Sequence, residues 1–79
     1  MKVRVKLIAT YMKLLPAGTQ GNVVEIEVPT GMTVVGIMTQ FGVPLDDSSV
    51  IVLNGLSVPP DTVLSDGDTV TAFSAIAGG

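Results

Sequence analysis

One stretch of this 79-residue chain carries a helical repeat, and the runs around it alternate in twos. Val34, Ile37, Met38 and Phe41 recur at i, i+3, i+4 and i+7, which places them on one stripe of a helix. Thr33 suits the N-cap, where its side-chain oxygen can accept from the first unpaired N–H groups. Gly42 suits the position just past the last turn, and Pro44 forbids continuation. Val34, Val35 and Gly36 are poor helix formers. A short helix of this composition must draw its stability from laying the stripe on a sheet, so Met38 and Phe41 are expected in the core.

The alternating runs supply that sheet. From Lys2 to Ala9, Val3, Val5, Leu7 and Ala9 face one way, and Lys2, Arg4, Lys6 and Ile8 the other. Val24, Ile26 and Val28 form a second run with Glu25 and Glu27 between them. Paired as a hairpin, the two acids share the outer face with the three bases, where each cross-strand pair contributes about a few tenths of a kcal/mol. Residues 16–22 are turn material. Val50-Ile51-Val52-Leu53 reads as a third strand, and Asn54-Gly55 is the strongest short hairpin signal. Leu56-Ser57-Val58 is expected to return as a short strand. Pro59-Pro60-Asp61 opens a loop or tight helical turn through Leu64. Asp66-Gly67-Asp68 reads as a turn, because the full spacing and terminal Glu of a calcium loop are absent. Thr69 to Phe73 is the last strand. The expected fold is α+β: a mixed sheet of four to five strands, one main helix on one face, the other face open.

Composition narrows the chemistry. With no Cys and no His, the chain offers no disulfide, thiolate or imidazole, and no metal site built on them. Net charge is −3; the four bases, Lys2, Arg4, Lys6 and Lys13, all precede the seven acids. That inventory builds no basic aromatic groove, so nucleic acid is not an expected partner. No apolar run reaches membrane-spanning length, and the charged alternation at the start is unlike a signal peptide. No membrane association and cytoplasmic residence are the expectations.

The open face and the tail carry the functional reading. Ile8, Phe73 and either Val50 or Val52 alternate away from the helix-covered side, and together they form an apolar patch suited to a protein partner. Beyond residues 1–73 runs a tail, Ser74-Ala75-Ile76-Ala77-Gly78-Gly79. Its six residues reach up to ~20 Å when extended. Glycine lacks a Cβ, so Gly78-Gly79 can lie in a slot too narrow for other residues, with an α-carboxylate at the tip. The patch would dock the body while Ser74, Ala75, Ile76 and Ala77 thread into a cleft.

The chain resembles the ubiquitin-like sulfur carriers of the β-grasp fold, and among them the small subunits of molybdopterin synthases. The likeness rests on residues 1–9, on residues 25–34 leading into the helix, on Val52-Leu53-Asn54-Gly55, on Asp66-Gly67-Asp68-Thr69-Val70 and on Gly78-Gly79. It implies that an ATP-dependent activating enzyme adenylates Gly79 and that the adenylate becomes a thiocarboxylate. It further implies that the tail enters a large synthase subunit or an equivalent acceptor enzyme, where the sulfur passes to a pterin precursor in molybdenum or tungsten cofactor synthesis. The chain itself would bind no cofactor; ATP belongs to the activating enzyme. Where relatives often carry a charge after Asn-Gly this chain has Leu56, where prolines precede the tail it has Ser74-Ala75, and after Tyr11 it has Met12-Lys13. Sulfur carriage for thiamine or another metabolite, protein modification through Gly79, and a binding module with an inert tail remain the alternatives.

Overall fold

The computed structural model describes residues 1–75. Four strands form one mixed sheet: β1 (Lys2–Leu7), β2 (Val23–Glu27), β3 (Ser49–Leu53) and β4 (Thr69–Ser74), in spatial order β2-β1-β4-β3. β1 runs antiparallel to β2 and parallel to β4, and β3 runs antiparallel to β4. One helix, α1 (Val34–Phe41), joins the β2 side of the chain to β3. This is the ubiquitin-like β-grasp arrangement expected from the residue pattern.

The alternation decides which residues go inside. Val3, Val5 and Leu7 of β1 and Val70 and Ala72 of β4 are buried. Val34, Ile37 and Met38 of α1 close over them, joined by Val28, Val43 and Leu64. Each of the valines, leucines, Ile37 and Met38 contributes roughly 1.5–3 kcal/mol when fully withdrawn from water. The helix ends as its caps predict. Thr33 Oγ1 accepts from Gly36 N at 3.1 Å, and Gly42 adopts a left-handed φ of 79° while its N–H bonds back into the last turn. Glycine takes that conformation without a Cβ clash.

Three expectations change. Phe41 is half-buried, not enclosed: it packs on the core from the last turn of α1, while Ile37 and Met38 are fully covered. Leu56-Ser57-Val58 forms no strand. Asn54 and Gly55 turn the chain with φ of 51° and 84°, and Leu53 and Leu56 exchange two backbone bonds of 2.8 and 2.9 Å. Pairing stops there, because Pro59 and Pro60 have no N–H to extend a ladder. The sheet among the described residues therefore has four strands. Finally, the first strand, expected through Ala9, stops at Leu7; Ala9 is exposed, with a φ of 53°, and opens a 3-10 helix, Ala9–Leu14, that the pattern did not signal.

The far end of the sheet is tied by side chains from the two turn motifs. Asn54 Nδ2 donates to Asp68 Oδ1 (3.0 Å), Thr69 N donates to Asn54 Oδ1 (2.9 Å), and Asp68 Oδ2 accepts from Ser65 N (2.7 Å). Asp66 Oδ1 accepts from Lys2 N at 2.7 Å. These carboxylates are engaged in fixing turns, which agrees with reading residues 66–68 as a turn. Among the described residues no three His, Cys, Asp or Glu side chains are grouped to hold a metal, and no helix is long and apolar enough to cross a membrane.

Candidate functional site

Strand register lays out the open face row by row. Val50 of β3 pairs with Phe73 of β4, and Val52 pairs with Thr71. Thr71 pairs in turn with Lys6 of β1, and Lys6 with Val23 of β2. The next row is Thr69, Arg4 and Glu25, and the last is Lys2 beside Glu27. Val50 and Val52 are two residues apart, so both belong to this face, where the sequence offered a choice between them. Ile8 follows the end of β1 in extended conformation, and its N–H donates to Ala72 O at 3.1 Å. That register sets Ile8 beside Phe73.

The face is thus divided. Ile8, Phe73 and Val50 form an apolar row at the end where β4 finishes, and all three are half-buried. The other end carries the bases and acids. Arg4 Nε lies 3.8 Å from Glu25 Oε2 with both side chains more than half exposed, so the pair contributes no more than about 1 kcal/mol. Buried polar residues are absent among those described, so the body holds no concealed charged centre there.

The strand passes one residue beyond Phe73. Ser74 pairs with Ser49, and the Ala75 N–H donates to Ser48 O at 2.8 Å. Ser48 is held by Asp46, whose Oδ1 accepts from Ser48 N at 2.9 Å and from the Ser48 hydroxyl. Those two donors keep the exposed Asp46 carboxyl below the usual carboxylate range, and hence ionised at neutral pH. Ile76, Ala77, Gly78 and Gly79 lie outside the described residues.

On the other side of the sheet, α1 and β3 leave an apolar hollow of about 300 Å³ between Val34, Val35, Leu45, Ile51, Val58 and Pro60. It opens on the helix side of β3, opposite the Phe73 row, and Asp46 and Ser49 also line it.

The profile of the ThiS family matches residues 5–79. The chain belongs to the ThiS family of ubiquitin-like sulfur carriers. A solved structure from Pyrococcus furiosus, provisionally designated molybdopterin converting factor, subunit 1, is 30% identical over 95% of this chain and 98% of that one, with a TM-score of 0.73. SAMP1 from Haloferax volcanii superposes over the whole of both chains with a TM-score of 0.78 at 20% identity. A second structure, of the H. volcanii small archaeal modifier protein 1, gives 0.75 at 18% identity over 95% of this chain and 98% of that one. These last two establish the shared fold. No curated protein matches the chain at a significant level.

Tyr11 is the site residue that pattern reading passed over. It is the one buried residue of the 3-10 helix, and its hydroxyl meets Ser49 Oγ at 2.6 Å and Ser48 O at 3.3 Å. A single tyrosine between Thr10 and Met12 gives no periodic signal, and its hydroxyl partners lie far away in the chain.

Proposed function

We propose that this chain carries sulfur on the carboxylate of Gly79 and delivers it, in the cytoplasm, to a pterin precursor in molybdenum or tungsten cofactor synthesis. In the first step a Gly79 carboxylate oxygen bonds the α-phosphorus of ATP on an activating enzyme, and pyrophosphate leaves. A sulfur nucleophile then attacks the acyl carbon and AMP departs. A bare carboxylate is a poor electrophile, so the adenylate supplies the leaving group. The carrier contributes the reacting atoms, and its partners supply the cations and oxyanion donors.

The observation that carries the reading is the apolar row of Ile8, Phe73 and Val50 at the end of the strand that leads into a Gly-Gly tail. A partner seated on that row stands over the root of the tail. Family membership supports sulfur carriage. The designation of the P. furiosus structure supports the pterin branch and a large synthase subunit as the second partner.

Intact-mass measurement tests the reaction. The full chain, incubated with its activating enzyme, ATP and a sulfur donor, should gain the mass of one oxygen exchanged for sulfur, located on the C-terminal peptide. An unchanged mass with an enzyme that demonstrably forms adenylates would reject the proposal. Gly-Gly remnants on substrate lysines would favour protein modification instead.

The docking surface makes a separate prediction. Phe73→Thr keeps a β-former in line with Thr69 and Thr71, so the strand should survive. Loss of an aromatic anchor should weaken binding to the activating enzyme by about 10- to 100-fold. Titration calorimetry would measure this, and an unchanged affinity would remove the row from the interface.

A further inference from the structure

We propose that Tyr11 is a positioning residue for the tail: its hydroxyl braces the start of β3, to which the backbone of Ser74 and Ala75 is bonded, and so fixes the direction of the chain at Ala75. The inference rests on the sulfur-carrier reading and adds to it a residue far from Gly79 in sequence.

Three segments meet at this point. The chain turns out of β1 at Ala9, which holds a φ of 53°. An alanine is uncommon in that region and stays there only when its surroundings insist. The turn sends the 3-10 helix across β4. Tyr11 is thereby buried with its hydroxyl against Ser48 and Ser49. Ser49 is the partner of Ser74, the last residue of β4. The Ser48 carbonyl that faces Tyr11 also accepts the Ala75 N–H. One carbonyl therefore joins the phenol to the first residue past the sheet.

Proton counting gives a single consistent arrangement. The Tyr11 O–H has one proton, and a carbonyl can only accept. Tyr11 therefore donates to Ser48 O, and the Ser49 hydroxyl donates to Tyr11 Oη. Asp46 completes the set from the other side by holding Ser48 N and its hydroxyl, while Asp46 O accepts from Ser49 N at 3.1 Å. A phenylalanine would fill nearly the same volume. What the hydroxyl adds is a connection between residues 11, 48, 49 and, through the carbonyl, 75. Fixing the chain direction at Ala75 reduces the ordering that a partner must impose when it grips the tail.

Tyr11→Phe in the full chain tests this, because it keeps the ring and removes only the hydroxyl. Hydrogen exchange at the Ala75 amide should quicken by about tenfold, the effect of one net hydrogen bond, while the Val70 and Ala72 amides keep their protection. With the activating enzyme, KM should rise by about three- to tenfold and kcat should hold. Ser49→Ala should reproduce both effects, and the double variant should add little to either single one. Unchanged Ala75 exchange, or equal quickening along all of β4, would overturn the proposal. If the wild-type chain is charged and Tyr11→Phe leaves KM unaltered, the positioning role falls while the carrier reading stands. If the wild-type chain cannot be charged but Ala75 alone responds, the tie to the tail root stands and the carrier reading falls.

Discussion

Removing Gly78 and Gly79 should abolish charging with sulfur and leave the folded domain as stable as before. The first half follows from chemistry: the proposed acyl carbon is that of Gly79, and a tail ending at Ala77 presents its carboxylate two residues short. Two extended residues are about 7 Å, far more than the misplacement that already costs an enzyme most of its rate. Charging should therefore fall below detection, with no partial rescue from more enzyme. The second half follows from packing. Among the described residues, the twelve buried hydrophobics run from Val3 to Ala72. Thermal unfolding and the intact-mass assay, run on the same sample, check both halves. A truncated chain that still gains sulfur would move the reaction elsewhere on the protein. A truncated chain that unfolds early would mean that the missing residues hold part of the fold.

The second large effect is expected in the core. Ile37→Ala should destabilise the domain by about 3–4 kcal/mol, since Ile37 is fully enclosed under the helix and its loss leaves a cavity that β1 and β4 cannot collapse to fill. A chain of this size has a stability of only about 5–15 kcal/mol, with small domains toward the low end. The midpoint of thermal unfolding should drop by roughly 12–30 °C. Phe41→Ala should cost less, about 1.5–2.5 kcal/mol, because half-burial leaves less to lose and lets water follow the ring out. Urea unfolding of the two variants would show the order. A Phe41 loss equal to that of Ile37 would mean the ring holds more of the core than its exposure implies.

The contrast between those two residues shows where sequence patterns carry and where they fail. The stripe Val34, Ile37, Met38, Phe41 located the helix, and Thr33 and Gly42 located its ends, because caps and periodicity are local chemistry. The same stripe overstated Phe41, since it reports which side of a helix a residue occupies and not how far the neighbouring layer extends beneath the last turn. Asn54-Gly55 gave the turn, yet the return strand failed because two prolines further on outweighed the alternation at Leu56 and Val58. The open face was legible in part: a period of two separates Ile8 and Phe73 from the core-facing residues of their own strands, but Val50 and Val52 stood as alternatives until the register of β3 against β4 put both on that face. Tyr11 was not legible. Its hydroxyl partners lie 37 and 38 residues away, and the turn that aims it depends on a left-handed alanine that composition gives no reason to expect.

The parallel pairing of β1 with β4 has a mechanical consequence. Met1 lies at one end of that central pair, and β4 reaches Ser74 and Ala75 at the opposite end. Traction between the two termini therefore slides the strands along each other and loads their bonds together in shear. An edge strand pulled from its tip would instead unzip one bond at a time. A pull on the end of β4 while the start of β1 is held therefore meets all the bonds of that pair at once.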